Sequence, residues 1–350
     1  MTSLTETRPD VVGGVDTHKN THVAAVIDAT GRILDTASFV TTETGNRALV
    51  RWLRRHGDVL RVGVEGKGSW GAGLTRVLTN AHIEVVEVDR PNRQLRRRRG
   101  KSDPTDAEAA ARAALAHDAT TTPKTHDGNV EMIRVLRVAR NSAIKARTQA
   151  RNQMHALVVT APEPLRDELA ALTTNALVRR AARLRPGPIT TPTAATKEAL
   201  RELAHRDREL TAQIARLDDH LAQLVTATAP ILTAQHGIGT ETASALLVAV
   251  GDNPHRLGNE RSFAALCGAS PIDASSGKQQ RHRLNRGGNR EANRALWRIA
   301  IVRLRNDPTT QNYIARRRSE GKTSREAIRC LKRYIARDVY QALRIDFPDL

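Results

Sequence analysis

Apolar positions along this chain change their period from one stretch to the next. Residues 11–15, 21–28 (THVAAVID) and 31–40 (GRILDTASFV) form short apolar runs bounded by turn residues, which predicts a three-strand meander. Within 44–56, Ala48, Leu49, Trp52 and Leu53 recur at helical spacing. Residues 61–65 (RVGVE) read as a buried strand, 71–81 as a helix and 83–88 (IEVVEV) as another strand. Residues 105–116 (TDAEAAARAALA) are helical by alanine propensity.

The resulting order, three strands and then alternating helix and strand with a closing helix, is that of a ribonuclease H-like α/β domain, a mixed sheet flanked by helices. It occupies residues 1–125. The next stretch, 126–228, reads differently. Residues 129–159 and 196–228 lack Gly and Pro, and Pro162, Pro164, Pro186, Gly187, Pro188 and Pro192 lie around them. Leu203, Leu210, Leu217 and Leu224 recur every seven residues, with Leu200, Asp207, Ile214 and Leu221 in the partner register. This predicts an α-helical coiled-coil middle with one charged residue in its seam; an ordinary amphipathic helix in a bundle is the alternative. An exposed seam of that kind favours self-association.

Residues 229–350 predict a mainly α C-terminal domain. Within 231–252 (ILTAQHGIGTETASALLVAVGD) one helix runs into Gly237-Ile238-Gly239 and a second opens at Thr240, a helix-hairpin-helix-like element. Backbone N–H groups at Gly237, Gly239 and the following helix start can take a DNA phosphate. A plain turn between helices is the alternative. A Gly/Ser/Arg-rich loop at 268–288 follows, then helices at 290–305 and 324–343.

Charge sharpens this picture. The 350 residues carry 56 Lys and Arg against 37 Asp and Glu, a formal net charge of +19. Residues 231–350 alone hold 21 basic and 11 acidic side chains. Such a surplus points to a polyanion, because cations that neutralise phosphates release condensed counterions. A membrane-surface protein is disfavoured for want of a strongly amphipathic Trp/Phe-rich helix. Aromatic residues make up 3% of the chain, so stacking of exposed bases is not expected to dominate over phosphate contact and groove shape. Cys267 and Cys330 are the two cysteines; their spacing predicts neither a disulfide framework nor a zinc site and suggests a reducing compartment. With no signal core and no long apolar run, a soluble cytoplasmic protein is expected.

Four acids fall where chemistry needs them. Asp16 ends the first predicted strand, Glu65 ends RVGVE, and Asp103 and Asp106 open the Ala-rich helix. Phosphodiester chemistry uses hard oxygen ligands to hold divalent cations, Mg²⁺ foremost and Mn²⁺ as a substitute, and converging strand ends would bring the four carboxylates together. His18 and Lys19 follow Asp16 and are placed to touch a scissile phosphate; a zinc role for His18 lacks partner spacing. Arg96, Arg97, Arg98, Arg99 and Lys101, just before Asp103, read as a phosphate-gripping loop, with a solvated charge run as the bland alternative. In the C-terminal loop, Ser275 and Ser276 precede Gly277, with Lys278, Arg281, Arg283 and Arg286 downstream. By composition alone Ser-Ser-Gly is a turn signal. Guanidiniums beside a hydroxyl can nevertheless offset charge in phosphoryl transfer.

Taken in order, these motifs resemble the DEDD-type transposases of the insertion-sequence 110 family, which are related to the Piv invertase. Asp16, Glu65, Asp103 and Asp106 match that family's acid motif. The stretches GIGTETASALLVAVGD, RSFAALCGASP, Ser276-Gly277 and RGGNREANRAL match its second domain. The resemblance implies a RuvC-like domain, a coiled coil and a transposase domain whose catalytic serine maps to Ser276, with Ser275 beside it. Lys278 replaces a frequent second glycine, and Gly287 is an extra residue after Arg286. The resemblance further implies strand exchange through a serine–DNA intermediate assisted by metal. Its implied partners are donor and target DNA, a structured noncoding guide RNA and further copies of the chain, as a homodimer assembling to a tetramer on DNA in the bacterial nucleoid. Two rival readings stand beside it. A RuvC-like structure-specific nuclease would need the acids but not Ser276, and a non-enzymatic architectural DNA-binding protein would need neither.

Overall fold

A computed structural model of the chain describes residues 8–66, 70–88, 102–117, 122–275, 282–283 and 285–350. It divides into two compact units, residues 1–125 and 126–350. The first holds β1 (Asp10–Thr17), β2 (Thr21–Asp28), β3 (Ile33–Val40), α1 (Glu43–His56), β4 (Asp58–Glu65), α2 (Ala72–Asn80), β5 (Glu84–Glu87) and α3 (Asp103–Leu115). The strands form one mixed sheet in the order β3-β2-β1-β4-β5. The meander β1-β2-β3 is antiparallel, and β1, β4 and β5 run parallel. Central β1 and β2 are buried along almost their whole length, while edge strand β3 is largely exposed.

The two faces of this sheet are covered by different means. Leu49, Val50, Trp52 and Leu53 of α1, with Leu74 and Leu78 of α2, interdigitate with Val11, Val15, Val62 and Val64 in an ordinary aliphatic core. On the other face α3 buries Ala107, Ala110, Ala111 and Ala114, with Ala113 and Leu115 half-buried at the edge. Small residues on both sides let backbone approach backbone. A Cβ on Gly14 would lie 2.2 Å from the Ala107 carbonyl oxygen, and one on Gly63 would lie 2.4 Å from that of Ala110. Gly14 and Gly63 are register partners, so α3 is seated on a glycine-floored seam between β1 and β4.

Among the described residues, the regular elements of the second unit are helices apart from one short ribbon. Helices α4 (Asn129–Val159) and α7 (Pro192–Thr228) form an antiparallel hairpin, and α5 (Glu163–Leu169) and α6 (Thr174–Ala181) close its tip around Met154, Leu165, Leu169, Leu177 and Leu200. Of the two heptad registers in α7, the one buried in the hairpin is Leu200, Asp207, Ile214 and Leu221; Leu203, Leu210, Leu217 and Leu224 flank it, half-buried. Asp207 is answered by Arg151, whose Nε and Nη2 donate to its two oxygens at 2.5 and 3.2 Å.

The remaining elements are α8 (Pro230–Ala234), α9 (Thr240–Val250), a 3₁₀ turn (Pro254–Leu257), α10 (Glu260–Leu266), β6 (Ile272–Asp273), β7 (His282–Arg283), α11 (Arg290–Asn306), α12 (Pro308–Ser319) and α13 (Ser324–Asp346). Helix α9 is buried nearly all round, as expected for a run with one charged residue, Glu241. Buried Arg137 of α4 donates to the Glu241 carbonyl at 3.1 Å and to Ser244 Oγ, and Arg140 donates to Glu241 Oε2 at 2.9 Å. Carboxylates from far along the chain cap two helices. Asp252 accepts from the amides of Val130 and Glu131 at 2.7 and 3.0 Å, and Asp346 from those of Ile231 and Leu232, both at 2.9 Å. Among the described residues no helix is long and apolar enough to cross a membrane.

Candidate metal centre and serine loop

The glycine seam decides where the acids stand. Asp16 and Glu65 each lie two residues beyond Gly14 and Gly63, on the same face of the sheet, and are themselves register partners. Seating α3 on the glycines brings its first turn, with Asp103 and Asp106, to these strand ends. Acidic residues there also complement the positive end of the helix dipole. Thr17 Oγ1 donates to the Glu65 carbonyl at 2.7 Å, tying the two strand ends together.

Asp16 is 8% exposed and Asp106 3%. The Asp16 carboxyl is pushed above its ordinary value by burial, and the charges of Asp106 and Asp103 push it the same way; His18 opposes them. Such a group favours a cation. His18 Nε2 is 3.1 Å from Asp16 Oδ2 and 3.4 Å from Asp103 Oδ1. One donor atom from each of Asp16, His18 and Asp103 lies within 4.8 Å of the others, a spacing that suits a metal ion. The sequence reading set His18 against the substrate phosphate; the geometry puts its ring among the donors. Lys19 is exposed beside it. A further residue escaped the sequence reading. His22, opposite Thr17 in the sheet, is fully buried with neither ring nitrogen hydrogen-bonded among the described residues, and burial first, then His18, pushes its pKa down.

The C-terminal loop has a tightly built neck. The backbones of Gly268 and Gly288 touch so closely that a Cβ on Gly288 would lie 2.2 Å from the Gly268 nitrogen. Asn293 Nδ2 donates to the carbonyls of Cys267 and Gly268 at 2.8 and 3.1 Å, and β6 pairs with β7 above them. Ser275 lies just beyond β6, its amide donating to Asp273 Oδ1 at 2.9 Å. Its hydroxyl donates to the same oxygen. Arg283 on β7 and Arg286 after it are exposed. Ser276, Lys278, Arg281, Arg96, Arg97, Arg98, Arg99 and Lys101 lie outside the described residues. At the glycine hairpin, Gly237 has φ +79° and Gly239 caps α9. The amides of Ile238 and Gly239 are already bonded, to the Gln235 carbonyl and Thr242 Oγ1 at 3.1 Å each. The phosphate-cradling donors expected at this turn are therefore fewer than the sequence suggests.

Two family models match the chain in order. Residues 13–161 match the DEDD model of IS110 elements, described as a transposase. Residues 229–315 match the transposase family of IS116, IS110 and IS902. The chain belongs to the IS110 family of transposases. Among curated relatives, it is 34% identical over 116 residues to an uncharacterized 43.6 kDa protein of insertion element IS110 from Streptomyces coelicolor, a match covering 33% of this chain and 28% of that protein. It is 28% identical over 106 residues to an uncharacterized 42 kDa protein of insertion element IS900 from Mycobacterium paratuberculosis, covering 30% of this chain and 27% of the relative. The match thus spans little more than a quarter of either relative.

Proposed function

We propose that this protein cuts and exchanges DNA strands as the transposase of an insertion sequence. The observation that carries the reading is the convergence of Asp16, Asp103 and Asp106, beside Glu65, on one face of the first unit. The strand order and directions support a ribonuclease H-like, RuvC-like domain, and the α4–α7 hairpin supports a coiled-coil arm through which copies associate. The donor set fits a divalent cation, because hard carboxylate oxygens crowd round a buried acid whose ionised form is otherwise disfavoured. Asp16, Glu65, Asp103 and Asp106 would hold it, with His18 adding a nitrogen; Mg²⁺ suits the oxygens and Mn²⁺ also accepts the imidazole. Such a cation supplies Lewis-acid polarisation of a phosphoryl oxygen.

On this reading the Ser276 hydroxyl oxygen attacks the scissile phosphorus. A new Oγ–P bond forms as the bond to the leaving deoxyribose oxygen breaks, and that oxygen takes up the proton the serine gives away. The ester keeps the phosphodiester's free energy, so a hydroxyl of another strand reverses the step and reseals the backbone. Lys278, Arg281, Arg283 and Arg286 offset charge on the phosphate. Lys19, Arg96, Arg97, Arg98, Arg99, Lys101 and the turn at Gly237 and Gly239 hold nucleic-acid backbone, both donor and target DNA and a structured noncoding guide RNA. The test is incubation of the full chain with junction DNA, followed by denaturing electrophoresis. A covalent protein–DNA band that Ser276→Ala abolishes, with DNA binding retained, is the expected result. Free cleaved ends from both proteins would instead indicate a water-using nuclease, and an unmodified substrate a non-catalytic binder.

A further inference from the structure

A second concentration of charge lies in the C-terminal unit. Between the loop neck and helices α12 and α13 is a cavity of about 460 Å³, within the size range of small-ligand sites. Five arginines and two lysines line it against two glutamates. Both glutamates are engaged locally: Glu320 pairs with Arg317 at 2.6 Å, and Glu326 accepts from the Thr323 amide at the start of α13. Lys332 in the wall is 5% exposed. Its Nζ donates to Asn293 Oδ1 at 2.6 Å, and among the described residues no carboxylate pairs with it. A buried ammonium without a counter-charge is costly, and an anion in the cavity would relieve it.

Cations alone would suit any phosphate. The aromatic side chains narrow the choice. The chain has three tyrosines, and two of them, Tyr313 and Tyr334, line this cavity. Their rings meet edge to face at 5.4 Å, and the Arg316 and Arg337 guanidiniums lie 5.5 Å from the centroids of Tyr313 and Tyr334 respectively. Tyr334 is 48% exposed, which leaves ring surface open. In a chain so poor in aromatics, a tyrosine pair inside the cationic cavity offers what a nucleobase needs and a bare phosphate does not.

We propose that this cavity takes one unstacked nucleotide of a bound strand, its phosphate against Lys332 and the neighbouring arginines and its base against Tyr334. The inference rests on the nucleic-acid-handling role proposed above and adds a specific subsite to it. The site lies beside the serine loop, with Arg283 common to both. It would hold a displaced nucleotide aside while the adjoining backbone is handled.

The native chain carries its own reporter. Cys330 lines the cavity, and Cys267 is buried with its thiol pushed up to about 12. Alkylation of the full chain by iodoacetamide, read by peptide mass spectrometry, therefore follows Cys330 with Cys267 as the inert control. A single-stranded oligodeoxynucleotide at saturation, judged by fluorescence anisotropy, is expected to slow Cys330 alkylation severalfold. The same strand made abasic is expected to protect far less, and inorganic phosphate at equal concentration not at all. Tyr334→Ala should weaken strand binding by about tenfold and Tyr334→Phe should restore it, the scale of one lost base–aromatic stack. An oligoribonucleotide that protects where the deoxy strand does not would keep the nucleotide site and assign its source to RNA. A strand that binds while leaving Cys330 alkylation unchanged would overturn the subsite and leave the DNA reading intact. Equal protection by the abasic strand would reduce it to a phosphate site and overturn the base contact. Failure of both the deoxy and the ribo strand to bind would overturn the subsite and the nucleic-acid reading together.

Discussion

The two units hold their charged groups by opposite means. In the first, the positions of the acids are set by backbone: two glycines under α3 and two strand ends in register bring Asp16, Glu65, Asp103 and Asp106 together. In the second, charges are placed by other side chains: Arg137 and Arg140 on Glu241, Arg151 on Asp207, Asn293 under Lys332. Backbone seating gives precision without tolerance, since close-packed main chain cannot move aside for an added atom. Side-chain pairing tolerates rearrangement but depends on each partner being present. One missing partner strands a buried charge.

The largest expected effect tests the acids themselves. Asp106→Asn keeps size and shape but removes a charge and turns one acceptor oxygen into a donor, and strand transfer should fall at least about a hundredfold, the scale of a few kcal/mol of transition-state stabilisation. Adduct formation in a quantitative gel assay measures it, and an unchanged rate would detach the cluster from the chemistry. Full activity in EDTA would do the same for the cation.

Next comes the contrast in placement. Arg151→Met leaves Asp207 buried without its partner and should cost roughly 2 kcal/mol or more, below the 3–5 typical of full burial because Arg151 keeps solvent contact. The double change Arg151→Met with Asp207→Leu should recover most of that loss. Gly14→Ala adds one carbon where the structure has a carbonyl 2.2 Å away, and should cost about 1–3 kcal/mol with no compensating second change on α3, where alanine is already small. Urea denaturation of each variant separates the two patterns. A rescued glycine variant or an unrescued double mutant would erase the distinction.

The smallest effect is a pH dependence. His22 is held below the ordinary imidazole value of 6.5 in the folded chain, so the unfolded chain takes a proton there first. Its contribution is complete above about pH 6.5 and is lost as pH falls below it. His22→Phe should flatten that part of the stability profile, and a profile identical to the parent's would show that other groups govern it.

Much of the first unit was legible in the residues. Short β-branched runs ending in acids gave the strands and located Asp16 and Glu65, because period-two burial and a chemically odd strand end are both local signals. The structure moves only the ends, with β4 starting at Asp58 rather than at 61 and α3 at Asp103 rather than at 105, while β3, α2 and β5 are each shorter by one or two residues at an end. The glycines that seat α3 carried no such signal: Gly14 and Gly63 look like any strand glycine until the helix is laid over them. Helices α5, α6 and α12 also escaped, the first of them among prolines that read as breakers although Pro164 sits in its first turn. Heptad spacing gave a long helix in α7 but could not tell the buried register from its flank, since both repeat at seven. The cavity lining comes from residues 268–285 and 313–337, and no spacing rule joins segments that far apart.

The two long-range caps bear on when the protein becomes itself. The amides at the start of α4 wait for a carboxylate 122 positions later, and those of α8 for one 115 positions later. The strands of the first unit, by contrast, pair within a short span of chain. Contacts that close long loops form late, so the β1-β2-β3 meander can pair before either cap closes, while the acids wait for α3 to arrive over Gly14 from the far end of their unit. A newly made chain would pass through an interval in which its first strands are paired and neither its carboxylate cluster nor its long-range caps are complete.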